Sequence, residues 1–302
     1  MLRAAAFALA VGLLAAGCGG SSGESEEPPE GTLEALWRAP GDDVAITPGT
    51  ADFGPGRVRL TFLVIDGEGR VVTRPTARVW VARGLEQEPF AETTARSEPI
   101  GVEGSEEADA DAIFVTELDL PKPGTYWVLA EPVGGRRIQA VGNVVVAEEP
   151  VAPAVGEPAV ASETPTIEST GGDFEALTTA DPPDRELLKH SVADSLEAEV
   201  PFVVTFATPR YCQTRTCGPV VDVVDAVREQ YEPEGIRFIH VEIYEDNDPA
   251  NETNRWVREW NLPSEPFTFV VGADGLIKER FEGTVSVREL GEAVERHLVE
   301  PA

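Results

Sequence analysis

The apolar and polar positions of this chain change rhythm twice. From Thr32 to Ala147 short apolar runs break at glycine and proline. They are Val58–Ile65, Arg70–Thr73, Ala77–Ala82, Ile113–Leu120, Thr125–Ala130 and Val141–Val146. Side chains of a strand point alternately to its two faces, so runs of this kind predict strands. Asp66-Gly-Glu-Gly69 and Pro121-Lys-Pro-Gly124 read as the turns between them. No helical period interrupts the series, and a β-sandwich over residues 32–147 is the expected architecture.

Residues 148–170 (EEPVAPAVGEPAVASETPTIEST) have no period at all. They hold four prolines and several acids, with no aromatic or basic residue. Such a segment predicts an extended, semi-rigid linker that packs no core.

After residue 170 helical and strand periods alternate. Leu188, Val192 and Leu196 mark one face of a helix over 184–197, and Pro201–Ala207 is a continuous apolar run, as in a central strand. A helix from about Pro219 to Tyr231 presents Val220, Val223, Val224 and Val227. Ile236–Tyr244 is a second strand, and Asn251–Trp260 a helix with Trp256 and Trp260 one turn apart. Phe267–Val271 and Leu276–Phe281, joined at Ala273-Asp-Gly275, form a hairpin. Ser286-Val-Arg-Glu289 is a capping box opening a last helix through Leu290, Val294 and Leu298. The order is α-β-α-β-α-β-β-α.

The N-terminus carries its own signal. Met1-Leu2-Arg3 precedes an apolar run from Ala4 to Ala16, too short for a permanent span and suited to an export signal over 1–17. Leu14-Ala-Ala-Gly-Cys18 resembles the bacterial lipoprotein cleavage box, with Ala15 where Leu is more common. The resemblance implies that Cys18 is the lipidated first residue of the mature chain. Residues 18–31, rich in Gly, Ser and Glu, would then be a polar tether. The expected location is the extracytoplasmic face of the cell membrane, held by lipid, where disulfides persist. A net charge of −30 argues against nucleic acid as a partner, because that binding needs a basic surface.

With Cys18 so explained, one cysteine pair is left, Cys212 and Cys217, at a strand-to-helix junction. Their spacing and the oxidising compartment predict a disulfide between them in the exported protein. Two thiols near the positive end of a helix suit thiol–disulfide exchange. Gly218-Pro219 places Cys217 at or near the helix N-cap, and on that ground Cys217 has the lower pKa. Arg210 and Arg215 flank the pair and would favour thiolate.

The element order, a cysteine after the first central strand and a proline before the hairpin together resemble the thioredoxin superfamily over roughly residues 171–299. By that resemblance Pro266, in Trp260-Asn-Leu-Pro-Ser-Glu-Pro266-Phe, is the cis-proline beside the active disulfide, and Cys217 aligns with the second cysteine of the family. Cys212 is then the exposed attacker, four residues away instead of two. The two arguments disagree on the nucleophile, and both readings stay open. Thr205 occupies the position of the family's buried acid, and His240 that of its lysine. His240 reads as a satisfied strand histidine or as a proton shuttle.

The expected chain is thus an α/β thioredoxin-like C-terminal domain (171–302) behind an all-β domain resembling an immunoglobulin-like sandwich. Its expected function is a membrane-anchored thiol–disulfide oxidoreductase with no cofactor or metal, acting on exported client proteins or a redox partner protein. The alternatives are a thioredoxin-like binding or structural module with a stapling disulfide, and a copper carrier. The β-domain shows no catalytic constellation and is expected to space the chain or contact a partner.

Overall fold

The structure is a computed structural model that describes residues 27–105 and 108–299. The export signal at 1–17, Cys18 and most of the tether lie outside the described residues. No helix among the described residues is long and apolar enough to cross a membrane.

A short helix α1 (Leu33–Trp37) precedes seven strands: β1 (Asp42–Pro48), β2 (Gly56–Asp66), β3 (Thr76–Ala82), β4 (Ala91–Pro99), β5 (Ala112–Leu120), β6 (Gly124–Pro132) and β7 (Ile138–Val146). The expected sandwich is instead one closed barrel in the order β1-β2-β5-β4-β3-β6-β7, with β7 returning to β1. Closure depends on β1, which runs antiparallel to β2 (Ile46 opposite Val64) and parallel to β7 (Val44 opposite Ala140). Closing the sheet removes its edges, which a seven-strand open layer would leave exposed. Gly142 on β7 faces the Ile46 side chain so closely that a Cβ there would collide with it. Alternate residues of β2, Val58, Leu60, Phe62 and Val64, fill the interior, where Phe62 stacks on Phe114 at 5.4 Å. The expected strand at Arg70–Thr73 reduces to a single bridge between Ile65 and Val71.

The second body contains α2 (Val192–Glu197), β8 (Phe202–Phe206), α3 (Cys217–Tyr231), β9 (Arg237–Val241), α4 (Arg255–Glu259), β10 (Phe267–Val271), β11 (Ile277–Glu282) and α5 (Val287–Val294). Its sheet runs β11-β10-β8-β9, with β8 and β9 parallel and the other two pairs antiparallel. All five β8 side chains are buried. Each such Val or Phe contributes roughly 1.5–3 kcal/mol over leaving it exposed. Val203, Phe238 and Val270 pack under α3 and α5, while Val204, Ile239 and Phe269 pack under α2 and α4. This is the α-β-α-β-α-β-β-α order read from the sequence, with helices on both faces. The helix expected over 184–197 breaks into a 3-10 turn at Glu186–Leu188 and α2, whose Ser191 caps it by accepting from Asp194 N at 3.0 Å. The α5 capping box is present, Ser286 Oγ and Glu289 Oε2 each accepting the other's backbone N–H at 3.2 Å.

The expected free linker is laid on this second body. Pro158 bridges to Leu276 beside β11, and Ala152 is buried in the same cluster as Phe206 and Trp260. Trp256 donates to Glu163 O at 2.9 Å and Trp260 to Ser162 Oγ at 3.2 Å. Proline-rich sequence lacks a core of its own, but its free carbonyls and small side chains cover a sheet edge and a helix face that would otherwise be open.

Buried ion pairs join barrel and second body. Arg59 on β2 reaches Glu289 at 2.8 Å, and Arg280 on β11 reaches Asp52 at 2.5 Å. Glu98 at the end of β4 pairs with Arg288 and accepts from Ser286 Oγ at 2.8 Å. The Arg59–Glu289 and Arg280–Asp52 pairs are nearly dry and carry a desolvation cost that their mutual contact offsets, whereas Arg288 is 44% exposed and its pair with Glu98 is worth less.

Candidate functional site

Strand β8 ends at Phe206, and the chain turns through Thr208-Pro-Arg-Tyr before Cys212. Cys212 N donates to Thr208 O at 3.2 Å, and Arg215 N closes a tight turn onto Cys212 O at 3.3 Å with Arg215 at φ +54. Helix α3 then begins at Cys217 itself, two residues before the expected start, with Thr216 at its N-cap. Thr216 makes no side-chain capping bond. Its hydroxyl lies 2.8 Å from Thr214 Oγ1 and 3.9 Å from Cys212 Sγ. The free amides of a helix N-terminus need an acceptor, and here they find a sulfur.

That sulfur belongs to Cys212. The Cys217 thiol, the Thr214 hydroxyl and the backbone amides of Cys217 and Thr216 hold the half-buried Cys212 far below an ordinary thiol, at about 5, against the opposing effect of burial. Cys217 goes the other way: the neighbouring Cys212 and its own burial push its pKa up strongly. Its side chain is fully buried among Val220, Val224 and Leu290. The helix N-terminus argument had given Cys217 the lower pKa, and the structure reverses it. A residue within the first helical turn points its side chain into the core, while the amide dipoles serve a group lying in front of the helix. Both residues are free thiols here.

Arg210 and Arg215 each contact a group other than the sulfurs. Arg210 lies over the Tyr211 ring at 6.0 Å, and Arg215 turns to Asp109 of the barrel at 3.9 Å. The barrel also forms one wall. Val102, in the β4–β5 loop, packs on the core cluster that contains Cys217, and a Cβ on Gly101 would stand 3.0 Å from Pro219.

The Glu265–Pro266 peptide is cis, immediately before β10. His240 is buried on β9, its Nε2 donating to Ala207 O at 2.9 Å and its Nδ1 3.5 Å from Thr178 Oγ1. Both ring nitrogens are thus used by local structure, which is the geometry of a satisfied strand histidine. Thr205, expected to stand where the resembled family has its buried acid, forms a closed hydroxyl pair with Thr268 at 2.9 Å.

The carboxylate at the site comes from elsewhere. A Glu265 carboxylate oxygen and the sulfurs of Cys212 and Cys217 all lie within 4.8 Å of one another. Glu265 Oε2 is buried without a hydrogen-bond partner. Burial, then the Cys212 thiolate and Glu242, raise the Glu265 carboxyl to about 7. Glu242 is buried behind it, accepting from Thr179 N at 2.5 Å and Thr179 Oγ1 at 2.7 Å, with its other oxygen unpartnered. Three donors so close could gather round an ion or pass a proton among themselves. The motif read from the sequence ended at Pro266. An acid directly before that proline was the available signal for Glu265.

No family model matches the chain, and no curated protein matches it in sequence. Among solved structures it is similar to a thiol:disulfide interchange protein, a thioredoxin family protein from Chlorobium tepidum TLS. The two share 16% identity over 48% of this chain and 97% of that one, with a TM-score of 0.34.

Proposed function

We propose that the chain is a thiol–disulfide oxidoreductase that uses Cys212 as nucleophile and Cys217 as resolving thiol. It would be anchored by a lipid on Cys18 at the extracytoplasmic face and act on exported proteins. The observation that carries the reading is the split between the two sulfurs. Cys212 is partly exposed in front of the α3 N-terminus, where its thiolate would attack a substrate disulfide, and Cys217 is buried within 4.8 Å, where it would resolve the mixed disulfide. A loop staple needs two sulfurs close together but no such difference between them.

The test is covalent trapping. Cells producing the full chain with Cys217→Ser should accumulate client adducts on non-reducing gels, because Cys212 still attacks and nothing resolves. Cys212→Ser should give none. Adducts only with Cys212→Ser would reverse the roles. Absence of adducts with both variants would point to a stapled module without redox turnover.

A further inference from the structure

We propose that Glu265 is the proton acceptor for Cys217 in the resolving step, the carboxylate of this site having been supplied from the loop before β10 instead of from β8. The inference rests on the thiol–disulfide reading and assigns that reaction a base.

Resolution needs one. Cys217 Sγ must lose its proton to attack Cys212 Sγ, and its buried surroundings oppose a free thiolate. The position expected to help, Thr205, holds a hydroxyl bonded to Thr268, and His240 spends its nitrogens on Ala207 O and Thr178. Glu265 is the carboxylate within 4.8 Å of both sulfurs, a distance spanned directly on closure or across one water. Its Oε2 is a buried acceptor with no other bond to make, an expensive arrangement unless a proton visits it. The titratable groups facing it are Cys212 from the loop, Cys217 from α3, Glu242 after β9 and Tyr244 beyond it.

The step balances as follows. Cys212 thiolate attacks the substrate disulfide, forming a Cys212–substrate bond and releasing one substrate thiolate. The negative charge beside Glu265 is thereby lost, and the carboxyl ionises more readily. Cys217 then gives its proton to Glu265 as its electron pair forms the Cys212–Cys217 bond. The bond from Cys212 to substrate breaks, and Glu265 returns the proton to the second leaving thiolate. Two electrons pass from the protein dithiol to the substrate disulfide.

Reaction of the reduced full chain with 5,5′-dithiobis(2-nitrobenzoate) separates the two steps in a stopped-flow absorbance trace. The first release of coloured thiolate reports Cys212 attack, and the second reports resolution by Cys217. Glu265→Gln should leave the first phase within a few-fold and slow the second about 100-fold near neutral pH. It should also abolish the inflection of the second phase against pH. Glu265→Asp should recover part of the rate, and thermal unfolding should show that both variants are folded. A second phase within about twofold of wild type across pH 5–9 would overturn the proposal while leaving the exchange reading intact. Equal slowing of both phases would also overturn it, by making Glu265 structural. Loss of the second phase in the wild type itself would overturn both readings.

Discussion

The state of Cys212 sets a test that does not depend on any client. A thiol ordinarily titrates at 9.0, and Cys212 is held at about 5. A fall of about four units gives nearly complete ionisation at neutral pH, but it also lowers the intrinsic nucleophilicity of the sulfur by about 40- to 100-fold. The two effects nearly cancel near pH 7, so a high rate at that pH is the wrong thing to look for. The diagnostic is slope. Between pH 6 and 8 an ordinary thiol should alkylate about 100-fold faster, whereas Cys212 should change by less than about twofold. At pH 6 Cys212 should lead an ordinary thiol by about tenfold, and at pH 8 trail it by about fivefold. The assay is iodoacetamide alkylation of the reduced full chain, with the labelled peptide identified by mass spectrometry. The largest single cause of the shift is the hydrogen bond from the Cys217 thiol. A bond to a charged acceptor is worth about 1.5–3 kcal/mol, or about one to two pKa units, so Cys217→Ala should raise the inflection by that amount. The amides at the start of α3 and the Thr214 hydroxyl remain and should keep it below 9.0. A wild-type rate that climbs 100-fold from pH 6 to 8, or labelling of Cys217 before Cys212, would refute the reasoning.

Two further outcomes check other parts of the molecule. Cys18→Ser should release the exported protein from the membrane fraction, since no described helix can hold it there; continued sedimentation with membranes would count against lipid attachment. Asp52→Ala removes an acceptor that serves Arg280 at 2.5 Å, Val151 N at 2.6 Å and Ala152 N at 3.0 Å, leaving Arg280, its side chain only 13% exposed, with backbone carbonyls but no counter-charge. Urea unfolding should show a loss of about 3–5 kcal/mol, and a loss under about 1 kcal/mol would mean that the barrel and second body meet without that pair.

The order of elements in the C-terminal half was legible because its signals are local, although the helices expected over 184–197 and 251–260 are shorter than their patterns. The unbroken run of β8, the valine face of α3 and the Ser286–Glu289 box each follow from the period of one element and the chemistry of its end. Even the cysteine pair needed only the chain order. The barrel was not legible to the same degree. Strands β1 and β4, DDVAITP and AETTARSEP, have too little apolar alternation to announce themselves. They are strands because β2, β3 and β5, their neighbours in the chain, and β7, distant from β1 in sequence, offer them hydrogen-bonding partners. Likewise residues 148–170 carry no core signal, and only the open edge of β11 and the face of α4 gave them a place.

Local patterning set the order of elements in the second half, together with the two sulfurs and their spacing. Which sulfur is exposed in front of the helix was decided by tertiary structure, because the helix dipole acts on whatever lies in front of the first turn, and residue order alone does not say that Cys212 lies there and Cys217 beneath. The same holds for Glu265, 48 residues beyond Cys217 in the numbering, whose carboxylate meets the sulfurs only when β10 pairs with β8. Periodicity records how each residue relates to its neighbours in the chain. Charge, proton and sulfur act through space, and the distances between them exist only in the folded molecule.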